Sequence, residues 1–497
     1  MSLPEATGFE KPQTIFDRQE EWNALVSFVC DPSPEARLGV VSGRLRQGKT
    51  LLLEALTSAL DGFYFGAQEM TQAESLSRLG DALARYTGAH AQRTWHGWEE
   101  AVDSLLALGD TRTVPIVLDD FPELVRQSPS LPSALLGICQ RRRCAGRNNQ
   151  ARLLLSGSSL PMMRRLFGKA SPLRGLADLH LRVRPLGYRQ AARLWGIHDP
   201  VLALLVHAVV GGTPAYRYDY AARDAPRGHD DFDAWVCRTA LNPRTPLFHE
   251  AYHLLWEEID HGDRAVCHSA LAAVASGCAN QGQVADCLGA PLTDTARCLA
   301  LLRDVGLLRG EPDAFRPNLI RLRVTEPLLA FEHAAVRSHR SELEQRNTTD
   351  VWKEIRPVFN DLVVRPHFAQ VCRDWVLHFA DPAVFGARPV SAAHGSLPDP
   401  ARSGGPELAA EVVVRGHGGT APGSLVSVGL ARWDEVMERH HLERVRSLLT
   451  ALADRGETVA GTRPALYSGV GFSPDLRAAE AEGQVLLVGL DRLYGPR

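Results

Sequence analysis

Short apolar runs alternate with stretches of helical periodicity over the first 186 residues. Five runs have the length and the Leu, Val, Ile and Phe content of buried strands. They lie at residues 38–42, 63–67, 114–118, 153–155 and 179–186. Between them, apolar residues repeat at spacings of three and four, as they do on helices. Because strands that alternate with helices form a parallel sheet covered on both faces, this pattern predicts an α/β domain.

The pattern becomes mainly helical after residue 186. Residues 187–245 predict a helical lid, interrupted by Gly-Gly-Thr-Pro at 211–214. Further helices are predicted at 247–259, 264–275, 280–287 and 293–304, before two short strands. Three helices closed by a two-stranded hairpin are typical of a winged-helix domain. Its last helix carries only Arg297 and Arg303 as cations, so DNA reading, partner binding and a structural role all stay open.

The C-terminal part predicts a second mixed α/β domain after a polar, charged lead-in at 336–355. Helices are expected at 366–379 and 440–455, and strands at 408–414, 425–429, 465–468 and 485–489. A stretch rich in Pro, Gly and Ser at 388–406 predicts a loop. The domain boundaries that we expect are 14–186 for the α/β core, 187–245 for the lid, 246–335 for the winged helix and 350–497 for the last domain.

Composition narrows the class of protein. The chain has 497 residues, 45% hydrophobic and 23% charged, with a net charge of −3, so no overall basic field favours nucleic acid. Its nine cysteines form no Cys-x-x-Cys motif and are expected to be free thiols. The N-terminus lacks a signal pattern, and no apolar run reaches the roughly 18 residues of a membrane helix. We expect a cytoplasmic protein without a membrane partner.

The candidate chemistry begins at residues 43–50, Gly-Arg-Leu-Arg-Gln-Gly-Lys-Thr, which fit Gly-x-x-x-x-Gly-Lys-Thr between a strand and a helix. In this arrangement glycines let backbone N–H groups surround a phosphate, and the helix N-terminus faces the same anion. Lys49 would reach the β- and γ-phosphates, and Thr50 would bind Mg²⁺. The predicted nucleotide-binding residues are Gly43, Arg44, Gln47, Gly48, Lys49, Thr50 and Leu51.

Paired acids follow the third predicted strand. Asp119 would help to hold Mg²⁺, and Asp120 would orient or deprotonate the attacking water. Many ATPases with a phosphate-binding loop of this kind have Glu as the second acid, so the shorter side chain of Asp120 predicts slower hydrolysis. Ser158, after the fourth strand, is expected to contact the γ-phosphate or its water.

The chain resembles archaeal-type P-loop ATPases, which are allied to the STAND and AAA+ groups. The resemblance rests on the motifs at 43–50, Leu-Asp-Asp-Phe at 118–121, Leu-Ser-Gly-Ser-Ser at 155–159, Pro-Leu-Arg-Gly at 172–175, Pro-Leu at 185–186 and Gly-Gly-Thr-Pro-Ala-Tyr at 211–216. It implies a P-loop core that uses ATP and Mg²⁺, followed by a winged helix and a domain of restriction-endonuclease-like fold.

Two departures from the family pattern matter for chemistry. The family tends to have an Arg directly after Pro-Leu-x-Gly that reaches toward phosphate; here Leu176 takes that place, and Arg174 is the substitute candidate. In the last domain, the family's acidic and Lys positions correspond to Val413, Leu430 and Arg432, and only Glu411 remains. One carboxylate cannot hold the metal alone, and Arg keeps its proton too firmly to act as a base, so this domain is expected not to cleave DNA.

The sequence therefore predicts an Mg²⁺-dependent ATPase that works as a nucleotide-driven switch. The alternative is a nucleotide-binding regulator or scaffold with little turnover. Either DNA or a protein partner would bind the winged-helix and C-terminal domains. The oligomeric state is open, although an arginine supplied by a neighbouring copy would require a homo-oligomer.

Overall fold

The computed structural model describes residues 9–89, 94–144, 148–259, 262–398, 407–417 and 422–495. The chain divides into two compact units. Unit 1 comprises Met1–Pro185 and Thr213–Ala215, and unit 2 comprises Leu186–Gly212 and Tyr216–Arg497. The domain boundaries expected within unit 2 stay predictions.

Unit 1 alternates strands and helices. In chain order, its elements are α1 (Gln19–Val29), β1 (Arg37–Ser42), α2 (Lys49–Ala59), β2 (Phe63–Gly66), α3 (Gln72–Thr87), α4 (Trp98–Leu106), β3 (Val114–Asp119), α5 (Phe121–Gln127), α6 (Leu131–Cys144), β4 (Ala151–Gly157), α7 (Leu160–Leu166) and β5 (Ala177–Arg182). All five predicted strands are confirmed, each within a few residues of the expected position.

The five strands form one parallel sheet in the order β2-β3-β4-β1-β5. The alternation of side chains along β1 shows why helices cover both faces. Leu38 and Val40 pack into the apolar core that also contains residues of α3, α4 and α6. Val41 packs into the opposite core, with residues of α1 and α2. The loops that leave the carboxyl ends of the strands therefore meet at one edge of the sheet.

The first part of unit 2 is mainly helical. Its elements are α8 (Tyr188–Trp195), α9 (Pro200–Val210), α10 (Phe232–Arg238), α11 (Pro246–Glu258), α12 (Arg264–Ala275), α13 (Gln281–Leu288), α14 (Leu292–Asp304), β6 (Leu308–Pro312), β7 (Ile320–Val324), α15 (Pro327–Phe331), α16 (Arg340–Gln345) and α17 (Thr348–Val358). The four predicted helices α11 to α14 are confirmed. Strands β6 and β7 pair as an antiparallel hairpin.

The second part of unit 2 contains a mixed sheet. Its elements are α18 (Arg365–His378), α19 (Pro382–Phe385), β8 (Arg388–Leu397), β9 (Leu408–His417), β10 (Pro422–Arg432), α20 (Arg439–Ala453), β11 (Arg463–Ser468), α21 (Pro474–Ala481), β12 (Leu486–Gly489) and α22 (Leu490–Tyr494). The sheet order is β12-β11-β10-β9-β8. Strands β8, β9 and β10 are antiparallel neighbours, whereas β10, β11 and β12 run parallel.

The loop predicted at 388–406 is wrong over its first part, because Arg388–Leu397 forms strand β8. Its Pro, Gly and Ser residues weaken the strand pattern, but pairing with β9 along most of its length outweighs local preference. The rest of that predicted loop, 399–406, lies outside the described residues.

Among the described residues, no helix alone has the length and apolar composition needed to cross a membrane. The pair α8 and α9, bent by 101°, meets both criteria when taken together.

Candidate functional site

The loop at 43–48 connects β1 to α2 and contains two glycines, Gly43 and Gly48. A Cβ on Gly43 would lie 2.4 Å from the carbonyl oxygen of Val183, which is closer than atoms can approach. Gly48 has a φ of 84°, a left-handed conformation that side chains disfavour. Close packing therefore requires glycine at position 43, and glycine at position 48 avoids the strain that a side chain would carry at this φ.

The loop surrounds the ammonium group of Lys49. This side chain is buried, and its Nζ donates a hydrogen bond to the carbonyl oxygen of Arg44 at 2.9 Å. Arg44 is also buried, whereas Thr50 and Leu51 lie exposed in the first turn of α2. The positive charge, the loop and the positive end of the helix dipole thus converge, which is the arrangement that attracts phosphate.

Thr50 and Asp119 meet at this edge of the sheet. The Thr50 Oγ1 hydroxyl donates a 2.7 Å hydrogen bond to Asp119 Oδ2, although the residues are 69 positions apart in sequence. Hydroxyl and carboxylate oxygens are ligands that Mg²⁺ prefers. The donor set therefore fits the predicted metal.

Tyr64 is a third member of the cluster, and sequence reasoning missed it. Its hydroxyl donates to the same Asp119 oxygen at 2.9 Å. Burial and then the neighbouring Asp119 charge raise the pKa of Tyr64, so this hydroxyl stays protonated and remains a donor. Tyr64 lies on β2 within no motif, so only the pairing of β2 with β3 reveals it.

Asp120 has an unusual backbone conformation directly after β3. Its φ of 50° and ψ of 43° are left-handed, and its N–H donates to Asp119 Oδ1 at 3.1 Å. The Ser158 hydroxyl donates to Asp120 Oδ1 at 3.2 Å. Burial, followed by the charge of Asp119, raises the pKa of Asp120. The structure thus brings two predicted site residues, Asp120 and Ser158, into direct contact.

Two contacts that sequence reasoning did not predict hold Gln47 in the loop. Arg18 is buried, and its Nη2 donates to the Gln47 carbonyl oxygen at 3.2 Å. The Gln47 side-chain amide donates to Thr213 Oγ1 at 3.4 Å. Both partners lie in motifs visible in the sequence, Phe-x-Arg-x-x-Glu at 16–21 and Gly-Gly-Thr-Pro at 211–214, but the spacing alone does not show what they contact.

Arg174 lies at the wrong edge of the sheet to contact the phosphate loop of its own chain. It is exposed and precedes β5, whose first residue, Ala177, pairs with Leu38 at the start of β1. The loop follows the far end of β1, and a strand of this length spans roughly 20 Å. Contrary to the prediction, Arg174 therefore does not reach toward phosphate bound at the loop of its own chain.

Neither a family model nor a curated protein matches the chain. Among solved structures, a Walker-type ATPase of Pyrococcus abyssi is similar, with a TM-score of 0.49 and 17% identity over 65% of this chain and 97% of that chain. Unit 1 has an α/β P-loop core. This assignment rests on the sheet and loop described above, since the TM-scores lie below 0.5.

Two further similar structures come from Aeropyrum pernix. The ORC2 protein, in ADPNP–ADP complexes, has a TM-score of 0.44 and 15% identity over 70% of this chain and 100% of that chain. The ORC1 protein in complex with DNA has a TM-score of 0.28 and 17% identity over 68% of this chain and 95% of that chain.

A second candidate site lies on β9 and β10 of unit 2. Glu411 Oε1 accepts a hydrogen bond from Arg432 Nη1 at 3.0 Å, and Glu411 Oε2 accepts one from the Ala431 N–H at 3.1 Å. Val413 and Leu430, at the two positions where the resemblance led us to expect acids, are buried in the core of the mixed sheet. Both carboxylate oxygens of Glu411 thus have donors, and its charge is balanced by Arg432.

The tip of the β6–β7 hairpin is attached to the mixed sheet. Asp313 is buried there, and its Oδ1 accepts the Ser396 N–H at 3.2 Å. The Arg316 guanidinium forms two hydrogen bonds to Glu407, at 2.7 and 2.8 Å. The hairpin tip is thus held to the mixed sheet by a buried carboxylate and by an ion pair.

Proposed function

We propose that this protein binds and hydrolyses ATP with Mg²⁺ and acts as a nucleotide-driven switch. The observation that carries the proposal is the convergence of Lys49, Thr50 and Asp119 at the loop between β1 and α2. A hydroxyl, a buried carboxylate and an ammonium group at a helix N-terminus suit a metal-bound triphosphate better than a neutral ligand.

The roles of the residues follow from their positions. Loop N–H groups and the start of α2 bind the phosphates, with Lys49 turning from the Arg44 carbonyl toward the β- and γ-phosphates. Thr50 and Asp119 hold the metal, and Tyr64 orients Asp119. Mg²⁺, when bound, would neutralise negative charge on the β- and γ-phosphates. Asp120, oriented by Ser158, positions or deprotonates the attacking water.

A second candidate, a nucleotide-binding regulator with little turnover, is favoured by the short side chain of Asp120, which stands where many P-loop ATPases carry Glu. Completion of the site by arginine would also need another chain, because Arg174 lies away from its own loop. We propose a cytoplasmic homo-oligomer in which Arg174 of one copy serves the next.

For unit 2 we propose that DNA or a protein partner binds through the winged-helix and C-terminal domains. Within the winged-helix region the proposal favours α13 and α14, because the hairpin tip is held by Ser396 and Glu407. We further propose that the mixed-sheet domain does not cleave DNA, because Arg432 balances Glu411 and no acidic residue stands at 413 or 430.

The decisive test compares Lys49→Ala with Lys353→Ala, a variant of an exposed lysine. Binding of a fluorescent ATP analogue and release of phosphate are measured with and without Mg²⁺ and duplex DNA. We expect Lys49→Ala to lose both activities and Lys353→Ala to keep them. Wild-type hydrolysis by Lys49→Ala would show that the site is misassigned.

The same assays separate the two candidates. Tight nucleotide binding with little phosphate release, both with and without DNA, favours the regulator. Sustained phosphate release favours the ATPase. Mg²⁺-dependent plasmid cleavage that disappears in Glu411→Gln would refute the proposal for the mixed-sheet domain.

A further inference from the structure

Four of the nine cysteines lie on or beside helices α12 to α14, and the structure sorts them into two nested pairs. The Sγ atoms of Cys278 and Cys287 are 3.1 Å apart. Those of Cys267 and Cys298 are 3.4 Å apart. Sequence spacing does not suggest this pairing, because it depends on how the three helices pack.

The Cys278–Cys287 pair results from a short turn and one helix. Gly277, with a φ of 108°, ends the turn after α12, and the Cys278 N–H donates to the Ala273 carbonyl oxygen at 3.0 Å. Asn280 then caps α13 by accepting the Gln283 N–H at 3.1 Å. Cys287 lies in the last turn of α13, which brings its sulfur back beside Cys278.

Exposure distinguishes the two pairs. Cys287 is exposed and Cys278 is half-buried, whereas Cys267 and Cys298 are both buried. Burial, followed by the hydrogen bond with Cys287, raises the pKa of Cys278 to about 11. Cys278 therefore remains a thiol at neutral pH, and the accessible Cys287 is the sulfur that a dissolved reagent meets first.

We propose that Cys278 and Cys287 form an oxidation site that a peroxide converts to an intramolecular disulfide. In the first step, Cys287 loses its proton and the thiolate attacks one peroxide oxygen; the O–O bond breaks, and the leaving hydroxide takes up that proton, giving a sulfenic acid and water. In the second step, Cys278 gives up its proton and attacks the Cys287 sulfur; the S–O bond breaks, and the leaving hydroxide takes that proton and departs as water while the S–S bond forms. Two thiols lose two electrons and two protons, and the peroxide is reduced to two molecules of water.

The motion that the bond requires is small. A disulfide has an S–S distance of about 2.05 Å, so the two sulfurs must approach by roughly 1 Å. The closed ring would join the turn after α12 to the end of α13 and restrict the orientation of α13. The site lies in unit 2 and is independent of the proposed nucleotide chemistry.

Peptide mapping tests the proposal on the full chain. Trypsin cleaves after Arg264 and Arg297, so one peptide, 265–297, carries Cys267, Cys278 and Cys287, and Cys298 starts the next peptide. The reduced protein, alkylated after denaturation, should carry three alkyl groups on the first peptide. After brief treatment with hydrogen peroxide, we expect one alkyl group, on Cys267, and an unlinked, alkylated Cys298.

Variants fix the assignment. Cys278→Ser should leave Cys287 unable to form the disulfide, and Cys287→Ser should restore alkylation of Cys278; Cys30→Ser, a variant of a lone exposed thiol, should behave as wild type. Circular dichroism checks that each variant folds, and dithiothreitol should return the wild type to three alkyl groups. Continued alkylation of both sulfurs while Cys30 is oxidised would overturn the proposal, as would a bond from either sulfur to Cys267 or to another chain.

Discussion

At the scale of single residues, Asp120 shows how chemistry and stability oppose each other in this site. Its side chain is half-buried next to Asp119, and both burial and this neighbouring charge disfavour the carboxylate. Lys49 and the Ser158 hydroxyl act in the opposite direction and stabilise the carboxylate. A raised carboxyl pKa means that the ionised form is disfavoured in the folded state. At pH values below the pKa of the unfolded chain, the neutral Asp120 carboxyl does not oppose folding. As the pH rises through the pKa of the folded state, the carboxyl ionises and the protein loses stability.

We expect Asp120→Asn to keep nucleotide binding but to lower the rate of phosphate release by about 100-fold or more, the usual contribution of a general base. Without nucleotide at neutral pH, its thermal unfolding midpoint should rise, because the unfavourable charge is removed. The control is Asp61→Asn, whose side chain is 85% exposed. Wild-type turnover by Asp120→Asn would exclude the proposed role.

Thr50 gives a second prediction at this scale. Thr50→Val keeps the shape of the side chain but removes the hydroxyl that donates to Asp119. We expect the affinity for Mg²⁺ in the presence of nucleotide to fall by about 10- to 100-fold. Binding of nucleotide in a metal-free buffer should stay at the wild-type level, and equal losses with and without Mg²⁺ would count against a metal ligand.

At the scale of elements, the connection from β1 to α2 depends on close packing of backbone. Gly43 lies against the Val183 carbonyl, directly after β5, so the loop and the edge strand share this contact. The local sequence identifies the glycine, whereas its neighbour comes from about 140 residues further along the chain.

We expect Gly43→Ala to destabilise unit 1 by about 1–3 kcal/mol, because the added methyl group must displace the Val183 backbone. Gly137→Ala is the matched control, since it lies within α6 and has only a side-chain atom 3.7 Å away. That substitution should be neutral or stabilising by about 0.5–1 kcal/mol. Urea-induced unfolding of both variants measures the difference, and similar midpoints would contradict the packing argument.

At the scale of the whole molecule, four histidines of unit 2 lose water on folding: His333 is buried, and His207, His268 and His367 are partly buried. His207 Nδ1 and His367 Nε2 lie 2.8 Å apart, and the rings of His268 and His333 lie 5.4 Å apart. Desolvation lowers the pKa of His207 and His268 to about 4 and that of His333 to about 3. The pKa of His367 is lowered for the same reason. Protonation therefore favours the unfolded form of unit 2.

We expect the free energy of unfolding of unit 2 to be independent of these histidines above pH 6.5 and to fall between pH 6.5 and 4. Each histidine contributes up to about 1.4 kcal/mol per pH unit in this window. Tryptophan fluorescence in urea reports mainly on unit 2, which contains six of the nine tryptophans.

His367→Gln keeps a polar partner for His207 but removes one titrating group, so the pH dependence should become shallower. His229→Gln, at an exposed position, should follow wild type. An unchanged slope in His367→Gln would show that this pair does not cause the acid sensitivity.

The sequence by itself determined the parallel sheet of unit 1, the phosphate loop and the acidic residue at the end of β3. These features depend on interactions that are local or periodic: apolar alternation, glycine conformations and a polar residue at a strand end. The same signals located helices α11 to α14 and most strands of the mixed sheet.

Only the tertiary structure decided which distant groups meet. It placed Tyr64 on Asp119, Ser158 on Asp120 and Arg18 on Gln47, and it put Arg174 at the opposite edge of the sheet from the loop. It also made β8 from a stretch with a loop-like composition and paired four cysteines. Each of these outcomes depends on the register of strands or on the packing of helices. The spacing of residues along the chain does not reveal either of them.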